Sequence, residues 1–386
     1  MTSARLWALV LPAVAVLLAS CGTATRTAPA AGTTPATGHG MHDSAAPAKA
    51  AAALREGERF ATVTMEHPYS PAPPNGGTDE YRCFLIDPKL AADGFLTGTQ
   101  FAAQNSAIVH HAIFFRVGPG DVAQVRDVDA AQDGEGWRCF GNAGVQDADW
   151  IGHWAPGTDE VLLDQNLGYP MPAGSALVIQ VHYSTLALDG GPAGSDQSGV
   201  RLRLSSKPLT PLRTELFQAP IELPCTSQES GPLCDRKAAI ADVSRRFDHS
   251  ADAETEMLLK WCNDGKLRPG PTQRCDQKIE QPVTLHALAG HMHLLGRSIK
   301  VELNPGKPGA KALLDVPEYN FDNQALQPLP SPMKLRRGDV VRVTCTHDAS
   351  LRARLPLLKK LPPRYVVWGE GTQDEMCLGI AVVSAA

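Results

Sequence analysis

The chain has 386 residues, a formal net charge of −5 at pH 7 and only 6% aromatic residues, with 34 glycines and 31 prolines as frequent punctuation. That length allows two or three domains and more than one sizeable core. The mildly acidic balance, with no basic run and no glycine-rich phosphate loop, excludes a nucleic-acid partner and a nucleotide-cradling site.

The N-terminus reads as an export signal: Arg5 precedes the short apolar run LWALVLPAVAVLLAS, which ends in small residues before Cys21. The run is too short for a comfortable membrane span. LASC at 18–21 resembles the bacterial lipobox, which implies cleavage before Cys21 and lipidation of that cysteine. The expectation is a chain anchored in the cell envelope, on the periplasmic face or the surface. Residues 1–20 are then signal peptide, and 21–54, rich in Ala, Thr, Pro and Gly, a flexible linker. Eight further cysteines remain: Cys83, Cys139, Cys225, Cys234, Cys262, Cys275, Cys345 and Cys377. An even number in an oxidising compartment reads as disulfides, and the spacings 225/234 and 262/275 suit local bridges. No C-x-x-C pair supports a zinc site.

Short apolar or alternating runs then follow one another: 105–118, 175–188, 199–206, 283–303, 339–348 and 365–371. Each is bounded by Gly, Pro, Asp or Asn, the pattern of antiparallel sandwiches. The segment 205–217 reads as a crossover, and 225–282 as a polar, cysteine-stapled stretch with a short helix at ETEMLLKWC. The expected fold is all-β, two antiparallel jelly-roll-like sandwiches with a cleft between them, at 55–208 and 209–386.

Several histidines sit inside these runs. GHMHLLG (290–296) sets His291 and His293 two apart, on one face of an extended strand, where they form either a metal clamp or a pair of satisfied core histidines. VHHAIFF supplies His110 and His111, QVHY supplies His182, and TQDEMC supplies Met376. Neighbours on a regular strand face opposite ways, so His110 and His111 can share a metal only at a strand end, bulge or twist. Two imidazoles with a thioether favour copper over zinc. His39, His42, His67, His153, His249, His286 and His347 read as surface or hydrogen-bonded residues, with His153 in IGHWAPG the one to watch. Met171 and Met333, in Pro-rich stretches taken as loops, read as packing. The AAQDGEGW stretch lacks calcium-loop periodicity.

VHHAIFF, QVHY, GHMHLLG and TQDEMC, in this order and at these separations, resemble the copper type II, ascorbate-dependent monooxygenases, from about Tyr81 to the C-terminus. The resemblance implies two coppers per chain. His110, His111 and His182 match the electron-transfer site in the first sandwich; His291, His293 and Met376 match the catalytic site in the second, where dioxygen binds. It further implies a Cys345–Cys377 bridge beside Met376, a bridge involving Cys83 and Cys139, and a role on the cofactor side for Gln180. YNFDNQ (319–324) resembles another family stretch, with no ligand role assigned. The implied reaction puts one atom of O2 into an aliphatic C–H bond, with ascorbate or an equivalent as reductant. Ala289 stands where the peptide-amidating members have a carboxylate-binding arginine, and Leu294 where they have a polar residue, so the expected substrate is a small, uncharged molecule and not a peptide acid. Two other classes compete: an envelope copper-binding or copper-delivery lipoprotein without oxygenase activity, and a stapled binding module with incidental histidines. No stretch sets an oligomeric state.

Overall fold

Alternating burial builds the strands. In Val340–His347, Val341, Val343, Cys345 and His347 point inward and their neighbours lie half-buried, the period of two that a one-sided sheet demands. The computed structural model describes residues 50–248 and 250–386; the expected signal peptide, Cys21, His39, His42, His249 and most of the linker lie outside the described residues. The fold is all-β, with 41% strand and 14% helix.

Two sandwiches form, and they share a sheet. A nine-stranded sheet runs Glu58–Thr64, Gly199–Ser205, Gly94–Ala102, Leu167–Met171, Thr210–Gln218, Leu378–Ala385, Val283–His291, Gln327–Leu335, with Glu160–Leu162 added at Gly94–Ala102. A five-stranded sheet (Trp137–Arg138, Asp79–Ile86, Ala176–Ser184, Val109–Val117, Ala148–Trp154) packs on its first part. A four-stranded sheet (Thr272–Lys278, Val340–His347, Gly296–Leu303, Lys311–Val316) packs on its second. The join is Thr210–Gln218, which pairs parallel with Leu167 and Gly168 on one side and antiparallel with Leu378–Ala385 on the other. The expected crossover at 205–217 is therefore mostly strand, and the true connection shrinks to 206–209. Met171 and Met333, read as loop residues, lie in strands Leu167–Met171 and Gln327–Leu335, where Met171 is fully buried. Proline at a strand position with no ladder N–H to give explains the misreading.

The segment 225–282 holds two helices, Arg236–Phe247 and Ala251–Asn263. Each starts on a side-chain cap: Asp235 accepts from Ala238 N–H and Ser250 from Ala253 N–H. Four disulfides are present among the described residues: Cys83–Cys139, Cys225–Cys234, Cys262–Cys275 and Cys345–Cys377. At the start of the described chain, buried Arg203 pairs with Glu58 and Glu160 and also donates to the carbonyls of Ala52 and Ala53. Those bonds fasten the end of the expected linker to the first sandwich.

Candidate metal centre

Each histidine pair depends on one extra residue in a strand. Val109–Val117 pairs Val109 with Tyr183 and then His111 with His182, so His110 is a bulge residue. A bulge lets successive side chains turn to one side, the condition the sequence set for this pair. In Val283–His291 the register slips at His286, between Leu285↔Val383 and Ala287↔Val382. The slip reverses the phase of the strand: Leu285 lies in the second core, whereas Ala287 packs with Val382 into the first. His291, in phase with Ala287, therefore faces the first sandwich.

Three Nδ1 atoms converge in the first sandwich. His110 Nδ1 lies 3.1 Å from His111 Nδ1 and 3.2 Å from His182 Nδ1, with 3.4 Å between the other two. His182 Nε2–H donates to Asp79 Oδ1 at 3.0 Å, which leaves Nδ1 as a lone pair. His182 stacks on Tyr81 with ring centroids 4.2 Å apart, and His110 on Phe321 at 4.3 Å. Burial, reinforced by the neighbouring imidazoles, holds His110 and His111 well below the usual histidine range; burial also lowers His182, against the pull of Asp79. Burial alone would raise Asp79, but hydrogen bonds from His182, Thr372 and Thr78 outweigh it and keep the carboxyl far below the ordinary range. Three inward lone pairs that resist protonation and a buried carboxylate behind them fit a cation at their centre.

In the second sandwich the rings are held by Nδ1 and present Nε2. His291 Nδ1–H donates to Gln324 Oε1 at 2.6 Å, and Gln324 Nε2 donates to Phe321 O, which fixes the amide. His293 Nδ1–H donates to Asp374 O at 3.2 Å, while its Nε2 is buried with no protein partner. Glu375 clamps the turn, taking His293 N–H on Oε2 at 2.9 Å and Leu295 N–H on Oε1 at 2.6 Å. Tyr319 closes on Met292, accepting from its N–H at 2.9 Å and donating to its carbonyl at 2.6 Å. Leu378 is the register partner of His291, and Met376, two residues before it, lines the same cavity as His291. An orphaned Nε2, a neighbouring thioether and the Cys345–Cys377 bridge one residue on fit a soft metal.

The two donor sets adjoin. The rings of His111 and His291 stand 5.5 Å apart, and both line a cavity of about 370 Å³ together with Met376. Aromatic and aliphatic side chains make most of its wall, among them Tyr81, Phe140, Trp150, Trp368, Leu378 and Ile380; His153 lines it too, pulled by burial down to about 4. Gln180 borders the cavity but spends its Nε2 on Asn142 O and the Cys83–Cys139 sulfurs, and its Oε1 has no partner. His286 bonds Ser384 Oγ, His347 is buried 3.3 Å from Glu375, and His67 lies exposed beside Glu66 and Glu135. Sequence reasoning missed Asp79, Gln324, Tyr319, Thr372 and Glu375. Four of these five lay in stretches already singled out, Tyr319 and Gln324 in YNFDNQ and Thr372 and Glu375 in TQDEMC; Asp79 carries no local signal as a support.

Residues 270–380 match the family described as copper type II ascorbate-dependent monooxygenase, C-terminal domain. That segment is similar to the C-terminal domain of a copper monooxygenase. It takes in His291, His293, Gln324 and Met376, and stops short of the three-histidine set. No curated protein matches the chain. Among solved structures, allantoicase is similar at 11% identity and a TM-score of 0.18 over 78% of this chain and 81% of that one. A Paenibacillus xanthan lyase is similar at 10% identity and a TM-score of 0.18, with 84% of this chain but only 25% of that one covered. Scores of this size carry no argument about fold or function.

Gln324→Leu should strip the acceptor from His291 and weaken metal at the His291/His293 set by about 10–100-fold, the usual cost of a lost outer partner, while sparing the three-histidine set. Metal titration of each set checks it. His153 gives a pH test: its folded pKa of about 4 lies below the unfolded value of about 6.5, so stability falls as pH drops from 6.5 towards 4, where the unfolded chain alone takes the proton. In His153→Gln, urea midpoints of the metal-free protein should show a slope against pH shallower by up to one proton over that window.

Proposed function

We propose that this chain is a two-copper monooxygenase that inserts one oxygen atom of O2 into an aliphatic C–H bond of a small, uncharged substrate, with ascorbate or a similar reductant as electron source. One observation carries the reading: two donor sets of unlike chemistry, three imidazole Nδ1 atoms and a His/His/Met group, border one largely apolar cavity. The similarity of residues 270–380 to the copper monooxygenase domain supports it. In balance, substrate and O2 take up two electrons and two protons and leave as alcohol and water. Copper, when bound, supplies the electron storage and oxygen activation that no amino-acid side chain offers.

The chain's own residues account for the rest. His110, His111 and His182, steadied by Asp79, make an all-nitrogen set; His291 and His293, oriented by Gln324 and Asp374, pair with the softer sulfur of Met376. Tyr81, Phe140, Trp150 and Trp368 give the substrate space an aromatic wall. No Lys or Arg lines the cavity, so a carboxylate would find no fork, and Leu216, Leu378 and Ile380 favour an apolar skeleton. An envelope copper carrier needs neither a second, unlike donor set nor a largely apolar cavity between the two. The export signal and the four disulfides support a place in the bacterial envelope, tethered through Cys21.

Anaerobic Cu(I) titration tests the reading. The wild type should bind two coppers and Met376→Ala one, with hydroxylation lost; a single copper unmoved by the substitution would leave His291, His293 and Met376 as sheet packing. Substrate class is checked on metal-free protein by tryptophan fluorescence with three probes of one skeleton: 2-phenylethanol, phenylacetate and 2-phenylethylammonium. The alcohol should bind at least about tenfold more tightly than the anion, because the wall holds no Lys or Arg to pair a buried carboxylate, and more tightly than the cation, whose one acidic neighbour in the wall is Glu254. Tighter binding of the anion or the cation would refute the uncharged class.

A further inference from the structure

The carboxylate of Asp79 has more partners than the support of one imidazole requires. Besides His182, its Oδ1 accepts from Thr372 Oγ1–H at 2.5 Å and Thr372 N–H at 3.2 Å, and its Oδ2 accepts from Thr78 Oγ1–H at 2.8 Å. The Thr372 hydroxyl also stands 3.2 Å from Ser184 Oγ. Asp79, His182 and Ser184 belong to the first sandwich; Thr372 belongs to the segment 369–376 of the second. Two residues after Thr372, Asp374 O holds His293; Glu375 clamps the His293 turn; Met376 follows. A second bond crosses the same joint, from Tyr81 Oη–H to Glu370 O at 2.9 Å, on the residue that stacks against His182. Asp79, Thr372, Tyr81 and His182 are all buried, where a charge-assisted bond is strong and a lost partner is costly. On the other side of the joint the rings of His111 and His291 stand 5.5 Å apart, and Phe321 stacks on His110 while its ring lies 6.3 Å from that of His293.

Resting on the reading of both sets as copper sites, we propose that Thr372, with the Tyr81 hydroxyl as a second bond, is a positioning residue: through Asp79 it latches the Met376-bearing segment to His182. The latch holds the three-imidazole and His/His/Met sets as one adjoining pair instead of two centres facing each other across solvent. The hydrogen bonds of Thr372 go to Asp79 and Ser184, so its link to His182 runs through Asp79. A merely structural threonine would affect stability; a latch affects the relation between the two metals.

The test is electron paramagnetic resonance on the full chain loaded with Cu(II), with the copper content measured on the same samples. Two neighbouring Cu(II) ions couple magnetically, giving a half-field transition and fewer observable spins than coppers. The wild type should show this coupling. Thr372→Val should keep two coppers per chain but give the sum of two isolated signals, and Thr372→Ser should restore the coupled spectrum. If Thr372→Val fails to fold or to hold copper, Tyr81→Phe keeps the stack on His182 and removes the other cross-joint bond; loss of the half-field signal there supports the latch and its full retention overturns it. Two coppers with isolated spins in the wild type, or coupling intact in Thr372→Val, overturn the latch alone. One copper in the wild type overturns the two-set reading and the latch with it.

Discussion

A β-strand sends successive side chains to opposite faces, and that alternation is the constraint from which this site escapes twice. Consecutive histidines on a regular strand cannot serve one metal, and a histidine in phase with Leu285 would point into the second core. One bulge at His110 and one at His286 remove both obstacles, each at the cost of a ladder position. The first gathers three Nδ1 atoms within one sandwich. The second rotates a whole strand end, so that His291 meets His111 across the joint. Neither device adds a donor; each re-aims donors that the sheet would otherwise waste.

Burial then decides the protonation state. Five imidazoles packed ring against ring cannot all be cationic, and desolvation drives His110, His111 and His291 to stay neutral, the last down to about 3. Neutral rings still carry one N–H each, and the supports choose which nitrogen bears it. Asp79 takes the Nε2 proton of His182, whereas Gln324 and Asp374 O take the Nδ1 protons of His291 and His293. The first set therefore offers Nδ1 and the second Nε2, a difference written by one carboxylate, one amide and one carbonyl.

Much of this was legible in the sequence because it is local. Strand alternation, the local cysteine pairs and the H-x-H spacing are short-range patterns, and the need for a strand end, bulge or twist at His110–His111 follows from the pleat alone. The continuous sheet was not legible, since a parallel contact of two residues between Thr210–Gln218 and Leu167–Met171 leaves no periodic mark. Supports such as Asp79 and Gln324 were hidden for a similar reason: 103 residues separate Asp79 from His182, and an acid in a turn-rich stretch looks like any other. Met171 and Met333 were misplaced because proline was read as a breaker where the strand had an N–H to spare.

The shared sheet changes what the cavity can be. Two sandwiches joined only by a linker would rock, and a space between them would open and close with them. Here the nine-stranded sheet ties one side of the joint, and the bonds of Asp79 and Tyr81 to the segment 369–376 tie the site itself. At a third place Gly157 adopts φ +81° so close to the second sandwich that a Cβ would stand 2.8 Å from Asp322 O; only glycine meets both demands. A joint fastened at three places leaves a pre-formed space, so selectivity must come from the wall that is already there. That wall presents indoles, aliphatic side chains, a few amides and one acidic residue, Glu254, beside the metal donors, and its polarity, more than any closing motion, is what a substrate has to match.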